Sequence, residues 1–222
     1  EVLYKVVGDG TALLAQQPVG ASLSVLGPIG NGFTRPATCQ QPLLLGGGVG
    51  MPPMLFWAQR LRAQGVTPLV ILGSEVPFPF TARPSQFLVP GLPPEVIAAA
   101  PLLEDWGIPS RLASLQAYPG CFEGYVTELA ESWLRTRSPA ALAGVVVYAC
   151  GPHPMLQASA RLAQRFGLAS QLALEEFMAC GVGGCAGCNI ELHLPTGRAM
   201  KRVCVDGPVF AGDAVFPPQA YI

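Results

Sequence analysis

Four cysteines near the C-terminus constrain this chain more than any other feature. They follow the spacing C-x4-C-x2-C and, after fifteen further residues, a fourth cysteine; they are Cys180, Cys185, Cys188 and Cys204. Plant-type proteins hold a [2Fe–2S] cluster with this spacing. Gly or Ala occupies five of the six positions between the first three cysteines, so the backbone can wrap closely around an inorganic core. The sequence therefore predicts a [2Fe–2S] site and electron transfer.

The fourth cysteine reaches this loop through a predicted hairpin. Residues 189–194 alternate as a strand does, Pro195–Gly197 form a turn, and residues 201–205 return. Structural zinc, a disulfide and buried free thiols are the alternatives. Zinc ribbons usually pair two C-x2-C knuckles, and this chain has one. With seven cysteines and no recognised secretory segment, we expect reduced thiols and a cytoplasmic location.

Composition limits the classes of partner. A net charge of -1 over 222 residues gives no electrostatic footprint for nucleic acid or an anionic membrane, and no apolar run approaches the ~18 residues of a membrane span. Only 12% of the residues are charged and 50% are hydrophobic, against roughly 25% charged in typical domains. We therefore expect protein partners and cofactor pockets to cover the apolar surface.

The coarse pattern starts with strands and continues as an α/β domain. Residues 2–7 and 22–26 are predicted strands, and the turn at Gly10 and Thr11 opens a short helix over 12–15, which either binds a phosphate or is simply capped. From residue 42 onwards strands alternate with helices, which predicts a doubly wound parallel sheet. The predicted strands are 43–45, 67–72, 112–116, 145–148 and 172–175, and the predicted helices are 54–62, 94–106, 124–135 and 154–166.

Three segments at strand ends indicate a nicotinamide dinucleotide. A glycine-rich turn follows the first α/β strand and opens a helix, as a pyrophosphate cradle does. Glu75 after the second strand would accept hydrogen bonds from ribose hydroxyls and repel a 2′-phosphate, which favours NAD over NADP. The candidate NAD residues are Gly46, Gly47, Gly48, Gly50, Pro52, Glu75, Cys150, Gly151 and Pro152. Each has an ordinary alternative: a packing turn, an exposed loop glutamate and a buried core cysteine.

The order of these motifs resembles a known family. The residues that carry the resemblance are Leu3–Lys5 with Gly10 and Thr11, Gly27–Phe33, Gly46–Pro52, Tyr148–Met155, Glu175–Cys188 and Val203–Phe210. With them the chain resembles the electron-transfer subunit of the two-subunit, NAD-linked (class 1B) dihydroorotate dehydrogenase, a branch of the ferredoxin reductase superfamily. The resemblance covers nearly the whole chain, and its last two blocks are the most specific.

The resemblance implies a ferredoxin-reductase-like architecture in three segments. Residues 1–38 would be the C-terminal part of an FAD-binding β-barrel whose earlier flavin motif is absent from this sequence, 39–175 an NAD-binding α/β domain, and 176–222 a [2Fe–2S] domain. It further implies FAD contacts by Leu3, Tyr4, Lys5, Gly10 and Thr11. The partner would be a catalytic FMN-containing dihydroorotate dehydrogenase subunit in a heterotetramer of two copies each, serving pyrimidine (UMP) biosynthesis.

No residue of this chain is predicted to act on the pyrimidine, because no nucleophile–base or paired-carboxylate arrangement is evident. Two alternatives stay open at this point. A related NAD(P)H-linked subunit of a sulfhydrogenase or transhydrogenase-like complex would share the cradle and the cluster loop. A non-catalytic binding module stabilised by zinc or by a cluster would use its glycine turns only for folding.

Overall fold

The structure, a computed structural model, describes residues 2–218, so Glu1 and residues 219–222 of the predicted barrel and cluster segments lie outside the described residues. Its centre is a seven-stranded sheet of order β11-β8-β7-β1-β2-β5-β6, in which every pair of neighbours is parallel except β8 and β11. The strands are β1 Gln41–Gly47, β2 Leu69–Gly73, β3 Arg83–Pro84, β4 Ala98–Ala99, β5 Ser110–Ser114, β6 Phe122–Glu123, β7 Val145–Cys150, β8 Ala169–Ala173, β9 Asn189–Leu194, β10 Gly197–Arg202 and β11 Val209–Ala211.

Helices cover both faces of this sheet, as the alternating pattern predicted. The helices are α1 Asp9–Ala15, α2 Met51–Ala63, α3 Pro101–Asp105, α4 Val126–Arg135, α5 Pro139–Leu142, α6 His153–Arg165 and α7 Gly212–Val215. Successive side chains of a strand point to opposite faces. Accordingly Leu43 and Leu45 of β1 belong to one core cluster, with residues of α4 and α6, and Leu44 belongs to the other, with residues of α2 and α3. Within residues 2–218, no helix combines the length and the apolar composition that crossing a membrane requires.

The N-terminal segment differs from its prediction. Residues 2–7 and 21–27 belong to no strand or helix, and they are exposed. A strand is stabilised by hydrogen bonds to a neighbouring strand, and these segments have none among the described residues. The predicted strands over 2–7 and 22–26 are therefore wrong, although α1 forms around the predicted helix at 12–15.

The segment between β2 and α3 also differs. The predicted helix over 94–106 is reduced to α3, because Ala98 and Ala99 pair with Arg83 and Pro84 instead. Buried Glu104 holds the preceding loop: its carboxylate accepts hydrogen bonds from the Ser85 hydroxyl at 2.7 Å and the Gln86 N–H at 2.9 Å. Loop 76–93, to which the sequence assigned no role, is therefore anchored by a side chain from α3.

The C-terminal segment contains the predicted hairpin. Strands β9 and β10 pair antiparallel, with Leu194 opposite Gly197, so the chain returns to place Cys204 beside Cys188. Beyond the hairpin, β11 pairs antiparallel with β8 at the edge of the main sheet. The segment that carries the cysteines is thus joined to the α/β sheet by main-chain hydrogen bonds.

Candidate functional site

The predicted NAD residues gather at the carboxyl edge of the sheet, where the strand order reverses. Strand β1 lies between β2 and β7, and Gly46 of β1 stands opposite Cys150 of β7. Open α/β sheets bind their ligands in the crevice at such a switch point. Gly48–Gly50 form a short 3-10 turn, after which α2 begins at Met51. The structure therefore brings the glycine turn and the Cys150–Pro152 turn to one place.

One cradle glycine, Gly50, is required by close backbone approach. A Cβ on Gly50 would lie 2.2 Å from the carbonyl oxygen of Cys150, so only glycine fits there while the two turns stay in place. A Cβ on Gly47 would lie 2.4 Å from the sulfur of Met155, a flexible side chain that can move aside. A dinucleotide needs a binding edge where main-chain groups can approach it closely. The residues of this edge fit a dinucleotide.

The helix that opens at the cradle has no side-chain cap. Its N-cap is Gly50, no acidic residue lies in its first turn, and Pro52 and Pro53 supply no N–H groups. Uncapped N–H groups at a helix start favour an anion. The main-chain N–H groups that remain for a pyrophosphate are those of the glycine turn and Met51. Pro52 has no N–H group to donate, but its fixed φ suits the first turn of the helix.

Glu75 follows the end of β2, the strand that pairs with β1 up to Gly47. It follows β2 two residues beyond Gly73, with its side chain exposed, on the side of the sheet where β2 meets β5. A dinucleotide that crosses the switch point places its adenosine half over the neighbouring strand. Contact between Glu75 and the ribose stays a prediction.

Cys150 is a neutral thiol at this edge. Burial raises its pKa to about 11, and the nearby Glu175 carboxylate adds to the effect. A thiol with this pKa is not a nucleophile near neutral pH, so Cys150 contributes packing and shape. Sequence reasoning missed Glu175 as part of the edge; the available signal was a carboxylate two residues after the end of β8, the strand next to β7.

A cavity of about 440 Å³ opens beside Cys150 between the sheet edge and the cysteine-bearing segment. It is lined by Gly151, Pro152, His153, Leu156, Leu174, Glu175, Glu176, Phe177, Ile190, Glu191, Val215 and Phe216. The ring of His153 packs edge-on against Phe216 with centroids 5.2 Å apart. The cavity therefore connects the predicted nucleotide edge to the start of the cluster loop.

The cluster loop places thiols against main-chain N–H groups. The N–H groups of Cys185 and Val182 donate to the Cys180 sulfur at 3.4 and 3.5 Å, and that of Gly187 donates to the Cys185 sulfur at 3.4 Å. Hydrogen bonds to a thiolate stabilise it, and those from Cys185 and Val182 lower the pKa of Cys180 to about 6. The loop thus favours the deprotonated form that a metal ligand needs.

The two remaining cysteines form the inner half of the site. Cys188 and Cys204 are buried, and the Cys204 N–H donates to the Cys188 sulfur at 3.5 Å and lowers the pKa of Cys188. Burial and the hydrogen-bonded Cys188 thiol raise the pKa of Cys204. Positive φ values at Gly181, Gly183 and Ala186 give the loop its wrapped path.

The four thiols form two pairs, which is the arrangement a two-iron cluster uses. The side chains of Cys180 and Cys185 contact each other, as do those of Cys188 and Cys204. Four thiolates shared by two irons supply two each. The residues fit a [2Fe–2S] cluster.

Arg202 supports the loop from the hairpin, and sequence reasoning missed it. Its guanidinium donates to the Gly183 carbonyl at 3.0 Å, and its main-chain N–H donates to the Asp206 carboxylate at 2.8 Å. The hydrogen bond from that N–H is the main cause of the lowered pKa of Asp206. Groups that orient the ligands of a metal site also tune that site. The charged Arg202 side chain therefore helps to hold the cluster loop in position.

The predicted FAD residues lie in the N-terminal segment. Leu3, Tyr4 and Lys5 are exposed and lie outside any strand of the described residues. The Thr11 hydroxyl accepts from the N–H groups of Val7 and Gly8 at 3.0 and 3.3 Å and donates to the Gly8 carbonyl. Thr11 therefore closes its own turn, and contact of these five residues with FAD stays a prediction.

Comparison with known proteins found matches both for the cysteine-bearing segment and for nearly the whole chain. Residues 175–216 match a family described as the iron-sulfur cluster binding domain of dihydroorotate dehydrogenase B. The chain is 33% identical over 214 residues to the dihydroorotate dehydrogenase B (NAD(+)) electron transfer subunit of Caldanaerobacter subterraneus subsp. tengcongensis, covering 96% of this chain and 74% of that protein. It is 40% identical over 219 residues to the subunit of the same name from Bacillus caldolyticus, covering 96% and 73%.

A solved structure shares the architecture. It is that of an NADH-dependent reduced ferredoxin-NADP oxidoreductase studied for flavin-based electron bifurcation, with a TM-score of 0.73 and 25% sequence identity. The match covers 96% of this chain and 67% of that one. The ferredoxin-reductase-like fold expected from the sequence is confirmed.

Proposed function

Because this chain belongs to the family of dihydroorotate dehydrogenase B (NAD(+)) electron transfer subunits, we propose that it passes electrons between NAD(H) and a catalytic dihydroorotate dehydrogenase subunit in pyrimidine biosynthesis. It is an oxidoreductase subunit with FAD, NAD and a [2Fe–2S] cluster as cofactors. When bound, FAD supplies the conversion between the electron pair of a hydride and the single electrons that a [2Fe–2S] cluster accepts. The pyrimidine chemistry belongs to the partner.

The observation that carries the proposal is the arrangement of the four cysteines as two thiol pairs with main-chain N–H donors. These donors stabilise negative charge on sulfur. We assign Cys180 and Cys185 to one iron, and Cys188 and Cys204 to the other. The family match of residues 175–216 and the electron transfer relatives count against the non-catalytic binding module stabilised by zinc or by a cluster.

We assign the NAD-binding role to the switch-point edge. There the Gly46–Gly50 turn would approach the pyrophosphate, the Cys150–Pro152 turn would flank the nicotinamide half, and Glu75 would select for a free ribose 2′-hydroxyl. Support comes from the tight contact of the two turns at Gly50 and Cys150. Leu3, Tyr4, Lys5, Gly10 and Thr11 are our candidates for FAD contact, with Leu3–Lys5 using main-chain groups.

Domain limits and assembly belong to the same proposal. We propose segments 1–38, 39–175 and 176–222 for FAD, NAD and the cluster, and a heterotetramer with two FMN-containing catalytic subunits. Free thiols throughout the described residues suit a reducing compartment, and we place the reaction in the cytoplasm. The sulfhydrogenase or transhydrogenase-like alternative receives less support, because the bifurcating oxidoreductase is 25% identical and the dihydroorotate relatives 33–40%.

Anaerobic isolation of the native complex tests this function. We expect two irons and two labile sulfides per chain of this type, bound FAD, and a paramagnetic resonance signal after reduction by NADH. With the catalytic subunit present, dihydroorotate should reduce NAD. A complex that contains flavin but no iron, or a cluster that NADH does not reduce, would contradict the proposed function.

A further inference from the structure

The end of the N-terminal segment is fastened to the chain just after the last cluster cysteine. The Asn31 side-chain amide donates to the carbonyls of Val205 at 2.9 Å and Asp206 at 3.3 Å. The Asn31 main-chain N–H donates to the Gly207 carbonyl, and its own carbonyl accepts from the Val209 N–H at 3.4 Å. Asn31 thus makes four hydrogen bonds to residues that lie between 174 and 178 positions further along the chain.

Gly30 and Gly207 allow the two segments to approach each other closely. At Gly30, with φ of +71°, a Cβ would lie 2.2 Å from the Gly207 oxygen and 2.8 Å from Pro208. At Gly207, a Cβ would lie 2.3 Å from the ring of Phe210. The two backbones therefore touch without intervening side chains, and the position of one fixes the position of the other.

The contact continues to the ligand loop. Asp206, whose carbonyl accepts from Asn31, holds the main-chain N–H of Arg202 with its carboxylate, and Arg202 holds the Gly183 carbonyl between the first two ligands. From the other side, Leu26 packs near Gly181, at 3.3 Å from the position of a Cβ there. A continuous set of contacts therefore joins residues 26–31 to the loop of Cys180 and Cys185.

We propose that Asn31 is a positioning residue for electron transfer: it fixes the cluster loop against the end of the flavin-binding segment. This inference rests on the proposed function, in which hydride from NADH reduces FAD and single electrons then leave FAD for the cluster, with no atom transferred in the second step. Asn31 touches no reacting atom. It holds two cofactor-bearing segments at one separation, on which the rate of the second step depends.

The test uses Asn31→Asp and Asn31→Gln in the native complex. Aspartate keeps the size of the side chain but replaces its donor group by a carboxylate that faces two carbonyl oxygens, whereas glutamine keeps a donor. Ser24→Ala, an exposed position in the same segment, is the control. Rapid mixing with NADH follows flavin bleaching and cluster reduction separately, and amide hydrogen exchange of residues 203–210 reports the contact without any turnover.

We expect Asn31→Asp to leave the rate of flavin reduction and the iron content unchanged and to slow cluster reduction several-fold, because the rate of electron transfer falls as the two carriers move apart. Amide hydrogen exchange at Val209 should become faster than in the wild type. Asn31→Gln should restore part of the rate, and Ser24→Ala should match the wild type.

Two results would overturn the inference: an unchanged rate of cluster reduction in Asn31→Asp, or equal slowing of both steps with loss of iron, which marks a purely structural role. Failure of the proposed function gives a different result, because the wild-type complex itself would then show no cluster reduction by NADH.

Discussion

Replacing Gly50 by alanine probes the geometry of the nucleotide edge. Gly50 has φ of -81° and ψ of -3°, values that alanine adopts without strain, so the substitution causes no backbone strain. The added Cβ would lie 2.2 Å from the Cys150 oxygen, 2.4 Å from its carbonyl carbon and 2.6 Å from the Gly151 nitrogen. All three neighbours are main-chain atoms, which cannot rotate away, so the two turns must separate by about 1 Å to reach ordinary contact.

The magnitude follows from that displacement. Overpacking of a well-packed region costs typically about 1–3 kcal/mol, which in a chain of this size lowers the melting temperature by roughly 2–12 °C. Because the two turns that separate are those assigned to NAD, a shift of ~1 Å should weaken use of NADH by up to ~10²-fold. Gly144→Ala is the matched control: it lies before the opposite end of β7, and its Cβ would meet its nearest neighbour at an ordinary 3.4 Å.

Calorimetry and steady-state kinetics with NADH measure the two effects. We expect kcat/KM for NADH to fall in Gly50→Ala and to stay near the wild-type value in Gly144→Ala. An alanine variant at position 50 that melts and uses NADH as the wild type does would refute the reasoning from close approach. A variant that loses stability but keeps its kcat/KM would remove the glycine turn from the NAD site.

Three further predictions concern single side chains. Cys185→Ser should remove or sharply weaken the cluster while NADH-dependent flavin reduction continues; iron and sulfide analysis decides, and unchanged contents would remove Cys185 as a ligand. Glu75→Ala should raise the use of NADPH relative to NADH, measured as the ratio of the two kcat/KM values; an unaltered ratio would exclude Glu75 from the ribose site. Cys150, whose raised pKa of about 11 keeps nearly all of the thiol protonated at pH 8, should resist alkylation at that pH in the folded protein. Removing the Glu175 charge in Glu175→Gln should lower the pKa of Cys150 and increase its labelling at pH 9–10, as measured by peptide mass spectrometry; equal labelling of both proteins would show that burial alone sets the pKa.

Local patterns predicted the α/β core and the cluster loop well. Strands such as β1 and β7 are short apolar runs followed by glycine, and their type is evident because both faces of a parallel sheet are buried. The cysteine spacing is likewise local for three ligands, and the hairpin that returns the fourth is indicated by Pro195–Gly197. The structure forms each of these elements.

The failures share one physical origin, which is dependence on distant partners. Residues 2–7 have the composition of a strand, but a strand forms only beside another strand. The helix over 94–106 was interrupted because Ala98 and Ala99 pair with residues 83–84, and no local pattern encodes that pairing. Asn31, Arg202 and Glu175 were missed for the same reason: each contributes through groups far from it in sequence.

The pairing of β11 with β8 has a consequence for biogenesis. During synthesis β8 emerges before β11, so it remains an open edge of the sheet until residues 209–211 have left the ribosome, and open edges invite pairing with other chains. The thiol loop lies between these two strands in the sequence. The open edge of β8 is therefore closed only after all four cysteines of the loop and hairpin have been synthesised.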